Sequence, residues 1–163
     1  MLPFGHLALR STERGWGDRW THFTQDEQIA LMTLWCLFRS PLMVGAELND
    51  NDEFTLNLLT NDEVLALLSE SRNARQVYRE ERYNYAGEVI VWQAENEQGE
   101  TYCAVFNCGP KARKLAVQLS SALGLEGAYT GRDLWAHEEI PVGRALEVEV
   151  PSHGARLVKL TKK

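Results

Sequence analysis

The sequence lacks the features that would tie it to nucleic acid, a membrane or a metal. It has no cluster of Lys and Arg: Lys111-Ala112-Arg113-Lys114 is the nearest approach and reads as a solvated turn. The net charge is -6, and phosphate binding needs a basic patch, so nucleic acid is excluded as a partner. No apolar run reaches the roughly 18 residues a membrane span requires, so no membrane partner is expected. Met1-Leu2-Pro3-Phe4-Gly5-His6 carries neither the basic nor the apolar region of a secretory leader. That leaves localisation open, since the native N-terminus is expected to lie upstream.

Cysteine is scarce as well. Cys36, Cys103 and Cys108 are the three present, and their spacing fits no zinc pattern. Cys36 sits in an apolar helical run and reads as a small core residue. Cys103 and Cys108 have opposite parity along one expected strand, which argues against a disulfide between them. His6, His22, His137 and His153 are scattered without ligand spacing. There is no Gly-x-Ser-x-Gly elbow and no glycine-rich phosphate loop. No cofactor and no metal are expected.

What is present divides into two parts. A chain of 163 residues, 44% hydrophobic and 25% charged, holds one domain, or a small domain with part of another. Residues 1–72 follow a helical rhythm. Thr24-Gln25-Asp26-Glu27 has the form of a capping box and opens a run, Gln28 to Arg39, that is apolar on nearly every face and so buried on several sides. Pro41 ends it. Pro41-Leu42-Met43-Val44-Gly45 reads as a short, fully buried strand. A helix follows from Asn51-Asp52 to about Leu59. Thr60-Asn61-Asp62-Glu63 has the form of a second capping box, leading into Val64 to Leu68. Helix, buried strand, helix, helix is the order of an α/β fold with a parallel sheet. About one and a half such units are present, too few to close a sheet.

Residues 73–163 change period. Glu88 to Gln93 and Thr101 to Asn107 are strand-like, with Glu95 to Gly99 as a turn between them. Lys114 to Leu119 and Leu146 to Val150 alternate, and glycines punctuate the rest. Short strands with frequent turns predict an all-β antiparallel sandwich or barrel. The boundary falls near Ser71 to Ala74.

Several carboxylates cluster by position. Asp50, Asp52 and Glu53 precede a helix, as do Asp26 with Glu27 and Asp62 with Glu63. Each could be a catalytic pair, but helix capping and interaction with the helix dipole explain all three better. Trp16 and Trp20 flank Gly17-Asp18-Arg19; they either shape a substrate pocket or pack within their loop, the second being favoured. Trp92 and Trp135 read as core or inter-domain packing. Tyr78, Tyr83 and Tyr85 could form a surface stripe.

An ordered set of phrases resembles family 27 of the glycoside hydrolases, the α-galactosidase family. Met1-Leu2-Pro3-Phe4-Gly5 is similar to the end of barrel strand seven. Phe23 to Gln28 and Met32 to Cys36 resemble the following helix, Arg39-Ser40-Pro41-Leu42-Met43 the start of barrel strand eight, and Leu58 to Ala66 the last barrel helix. Val91-Trp92, Ala104 to Asn107, Arg132 to Trp135 and His153 to Leu157 follow in the order of the family's C-terminal β-sandwich. Two places depart: Gly45 is followed by Ala46 and Glu47 where the family has Gly and Asp, and Leu68-Ser69 stand where it has Asn-Gln.

The resemblance implies the last αβ units of a TIM barrel followed by a Greek-key sandwich. It implies a retaining mechanism with two Asp about 5–5.5 Å apart, after barrel strands four and six, which this chain does not include. Met1 matches a residue that lines the sugar pocket; with Trp16 it is the candidate substrate-binding residue. The parent would bind carbohydrate of the α-galactoside type, while this chain alone would be inactive. The alternative is a non-catalytic carbohydrate-binding or assembly module. Faces meant for missing barrel units would be apolar and could drive self-association.

Overall fold

The computed structural model describes residues 1–8, 17–80 and 88–163. After two short strands, β1 (His6–Ala8) and β2 (Arg19–Trp20), the chain forms α1 (Gln25–Leu37), α2 (Glu53–Leu59), α3 (Asp62–Leu65) and α4 (Leu67–Glu70). The expected capping box opens α1. Thr24 accepts from the Glu27 N–H, and the Glu27 carboxylate accepts from the Thr24 N–H at 2.8 Å. Gln28, Met32 and Cys36, with Thr33 and Leu37, form its buried stripe, the spacing that puts side chains on one helix face. The helix closes at Phe38, one residue short of expectation, and Arg39 takes a left-handed φ of 56°. From there the Arg39 guanidinium donates to the carbonyls of Leu68 at 2.9 Å and Ser71 at 3.3 Å, satisfying groups that a helix end leaves unpaired.

Two local expectations are corrected. Pro41 to Gly45 is no fully buried strand. Val44 makes a single parallel bridge to Leu2, and Met43 is 62% exposed. A strand in the middle of a parallel sheet needs a partner on both sides, and this one has a described partner on one. The second capping box does not form either. Asn61, rather than Thr60, caps α3 by accepting from the Val64 N–H at 3.1 Å, while the Thr60 hydroxyl donates back to the Leu56 carbonyl.

From Arg72 the chain is mainly antiparallel sheet. Six strands lie in the order β3 (Arg72–Arg79), β4 (Val89–Glu95), β5 (Thr101–Asn107), β10 (Ala155–Lys162), β7 (Tyr129–Asp133) and β8 (Glu138–Ile140). β6 (Arg113–Gln118) and β9 (Ala145–Val150) pair as a second sheet, and α5 (Leu119–Leu123) follows β6. The expected strands match β4, β5, β6 and β9. β3 is an edge strand carrying Arg72, Arg75 and Arg79 and two register irregularities, devices that discourage edge-to-edge pairing.

The centre of the large sheet is buried on both faces, while the edge strands β3 and β8 stay largely exposed. Every residue of β5 is buried, and parity sorts the side chains. Cys103 and Val105, with Val158 and Leu160 of β10, meet Leu146 and Val150 of β9 in a core between the two sheets. Tyr102, Ala104 and Phe106, with Ala155 and Leu157, meet Met32, Cys36 and Leu37 of α1, together with Leu2 and Phe4. The layers are therefore helices, a six-stranded sheet, and a two-stranded sheet. Among the described residues no helix is long and apolar enough to cross a membrane.

Candidate functional site

The parallel bridge organises one end of the helical part. The Leu2 N–H donates to the Met43 carbonyl at 2.6 Å, the Gly45 N–H to Leu2 at 2.9 Å and the Glu47 N–H to His6 at 2.8 Å. Segments 2–6 and 43–47 therefore run side by side in the same direction. In α/β folds ligands bind beyond the C-terminal ends of such parallel segments. Gly5 bends the first segment close to that end. Its φ is +63°, and a Cβ placed there would lie 2.8 Å from Thr55 Cγ2 of α2, so no larger residue fits.

His6 follows, almost fully buried at 3% exposure. Its Nδ1 lies 2.6 Å from Asp50 Oδ2, and its Nε2 is bonded to Asp18 Oδ1. The indole of Trp20 stacks on the imidazole with centroids 4.7 Å apart and planes 5° apart. Burial pulls the imidazole pKa down, but the hydrogen bonds and charges of Asp18 and Asp50 outweigh it, leaving the pKa above its ordinary value. Asp50 is thus no helix cap, as position alone suggested. Asp52 is the cap of α2, accepting from the Thr55 N–H at 2.7 Å.

Met1 starts the first segment with its side chain 84% exposed, beside Gly45. Trp16, like Tyr83 and Tyr85, lies outside the described residues. Nothing in the sequence announced the His6 cluster, because its partners stand 12 and 44 residues away. The one available signal was a His directly after a Gly at the end of an apolar stretch.

A second polar cluster joins the helices to the sheet. Glu63 of α3 accepts from Arg132 Nε at 2.6 Å and Nη2 at 2.7 Å, and its carboxylate also meets His137 Nδ1 at 2.6 Å. This forked bond holds the Glu63 pKa down at about 2, with His137 adding to the effect. Expected as part of a helix-capping pair, Glu63 instead links α3 to β7 and the turn after it. Nearby, Trp135 Nε1 donates to Thr33 of α1 at 2.8 Å, and Asn61 donates to the Leu134 carbonyl at 2.9 Å. Trp92 packs edge-on against Phe38, centroids 4.8 Å apart. A cleft of about 740 Å³ opens beside this cluster, lined in part by Phe54, Asn57, Asp62 and Trp135. Among the described residues no three His, Cys, Asp or Glu side chains are grouped to hold a metal ion.

The fold is shared with known proteins. Residues 86–160 match the α-galactosidase C-terminal β-sandwich domain. α-Galactosidase D of Emericella nidulans is 30% identical over 144 residues, covering 85% of this chain and 21% of that protein. α-Galactosidase 2 of Arabidopsis thaliana is 25% identical, over 86% of this chain and 35% of that protein. The crystal structure of a family 27 β-L-arabinopyranosidase from Geobacillus stearothermophilus superposes with a TM-score of 0.85 at 45% identity, covering 98% of this chain and 35% of that one. The chain thus spans little more than a third of these relatives at most. Together the matches establish that it corresponds to the C-terminal part of a glycoside hydrolase family 27, α-galactosidase-like enzyme.

Proposed function

We propose that the chain is the C-terminal portion of a retaining glycosidase. Residues 1–72 contribute the last αβ units of a (β/α)8 barrel, and residues 73–163 form the sandwich domain. The observation that carries this is the parallel bridge from Leu2 to Val44 with α1 lying between them in sequence. Two parallel segments joined through a helix are the repeating unit of such a barrel. In this reading the two catalytic Asp belong to earlier barrel strands, so the chain alone hydrolyses nothing. Met1 and Trp16 belong to the wall of the sugar pocket. Apolar side chains such as Met43 and Leu48, 62% and 61% exposed, meet the missing barrel units in the parent. In the isolated chain they drive self-association.

The substrate class is a terminal α-galactoside or its close relative, a β-L-arabinopyranoside. The two sugars share ring stereochemistry and differ by the exocyclic hydroxymethyl group. The 45% identity to the arabinopyranosidase, against 30% to the Emericella α-galactosidase, favours the arabinoside. The coding DNA upstream of Met1 tests the fragment reading. An in-frame extension that completes a barrel of about 250 residues, with two Asp at its mouth, is the expected finding. A stop codon directly upstream, together with saturable binding of galactose-containing oligosaccharides by the chain, would favour a non-catalytic sugar-binding module instead.

A further inference from the structure

Both ring nitrogens of His6 face carboxylates, Nδ1 facing Asp50 and Nε2 facing Asp18. An ionised carboxylate only accepts hydrogen bonds, and a neutral imidazole carries one N–H. Two carboxylate partners are satisfied together only when both nitrogens are protonated. Trp20 adds an independent reason, since its ring lies parallel to the imidazole at 4.7 Å, and a π-face attracts a cation. The three partners come from different places. Asp18 and Trp20 lie on segment 17–20, and Asp50 lies beyond the parallel segment that ends at Glu47. Asp18 and Asp50 are more than half exposed while His6 is buried, so the cation sits beneath the two anions and ties them down.

We infer that His6 is a positioning residue: as an imidazolium shared by Asp18 and Asp50, it fastens two loops at the C-terminal end of the parallel segments and fixes the plane of Trp20 at the rim of the sugar site. The location of that rim rests on the function proposed above; the clasp does not. Other charges around the clasp are Arg19, on β2 beside Trp20, and Glu47. The Glu47 carboxylate accepts from Asn49, while its backbone N–H donates to His6. The imidazole pKa is raised. The clasp is therefore intact below the ordinary histidine value of about 6.5 and is released as pH climbs through the raised value.

The test is nitrogen NMR of the full chain, with His6→Gln to identify the His6 signals. At pH 6 both His6 ring nitrogens should be protonated, with a titration midpoint above about 6.5. Asp18→Asn and Asp50→Asn should each lower that midpoint. They also identify the His6 signal if His6→Gln does not fold. The Thr21 amide, bonded to Gly5 at 2.8 Å, should exchange several-fold faster, beyond its intrinsic pH dependence, once His6 loses its proton. A single neutral tautomer at pH 6, a midpoint at or below the ordinary value, or Thr21 protection that ignores the state of His6 would overturn the inference. None of those results touches the proposed glycosidase reading. An intact clasp in a full-length protein that cleaves neither sugar would sink that reading alone.

Discussion

β5 and the Pro41–Gly45 segment are both rich in apolar residues, yet they end up in different surroundings. All seven residues of β5 are buried, because helices cover one face and the small sheet covers the other. Met43 stays largely exposed, although Pro41–Gly45 reads as a buried strand, and Leu48 just beyond it is exposed as well. Hydrophobicity records what a segment is meant to be covered by; burial records what covers it here. Neither Met43 nor Leu48 belongs to the two buried cores. The helical part shares a core with the sandwich through Met32, Cys36 and Leu37.

Substitutions can break this contrast, and the largest effect is expected at the shared core. Leu157 is fully buried against α1. Leu157→Ala should cost about 2–5 kcal/mol, measured by denaturant unfolding, and should loosen α1 and β10 together. If α1 kept its hydrogen-exchange protection while β10 lost its own, the core would not be shared. Next comes Gly5→Ala, which combines a left-handed φ with a Cβ 2.8 Å from Thr55 Cγ2. A cost of about 1–3 kcal/mol follows from overpacking and backbone strain. A neutral result would show that Gly5 does not seat against α2.

The Glu63 cluster sharpens the comparison through pH. The carboxyl pKa is lowered to about 2 by Arg132 and His137. A depressed pKa contributes stability above the unfolded value, near 4.3, and that contribution is lost as pH falls toward 2. Wild type should therefore melt higher than Glu63→Gln at pH 6, with the gap closing by pH 2. A gap independent of pH would mean that the charge plays no part. The smallest effect belongs to the exposed side. Met43→Ser with Leu48→Ser should change stability by no more than about 0.5 kcal/mol, while lowering concentration-dependent association in sedimentation. A core-sized loss of stability would show these residues to be buried after all.

Among the sandwich strands, alternation makes β6 and β9 legible, and runs of β-branched and aromatic residues make β4 and β5 legible. β3 escapes the reading because its arginines and irregular register hide the alternation; β7 and β10 surface only as family phrases, and β8 not at all. The first capping box was legible because its bonds are local. The second was misplaced by one residue because Glu63 found stronger partners about 70 residues away in Arg132 and His137. The His6 clasp was illegible for the same reason: it depends on pairings between distant segments, and single-sequence spacing carries no information about those.

The most direct measurement is hydrolysis of aryl α-D-galactopyranoside and aryl β-L-arabinopyranoside by the purified 163-residue chain, beside the same chain joined to the family barrel units that precede strand seven. The expected result is no turnover of either glycoside by the chain alone, with turnover restored when the barrel carrying both Asp is present. Clear, saturable hydrolysis by the chain alone would contradict the placement of the catalytic carboxylates outside it.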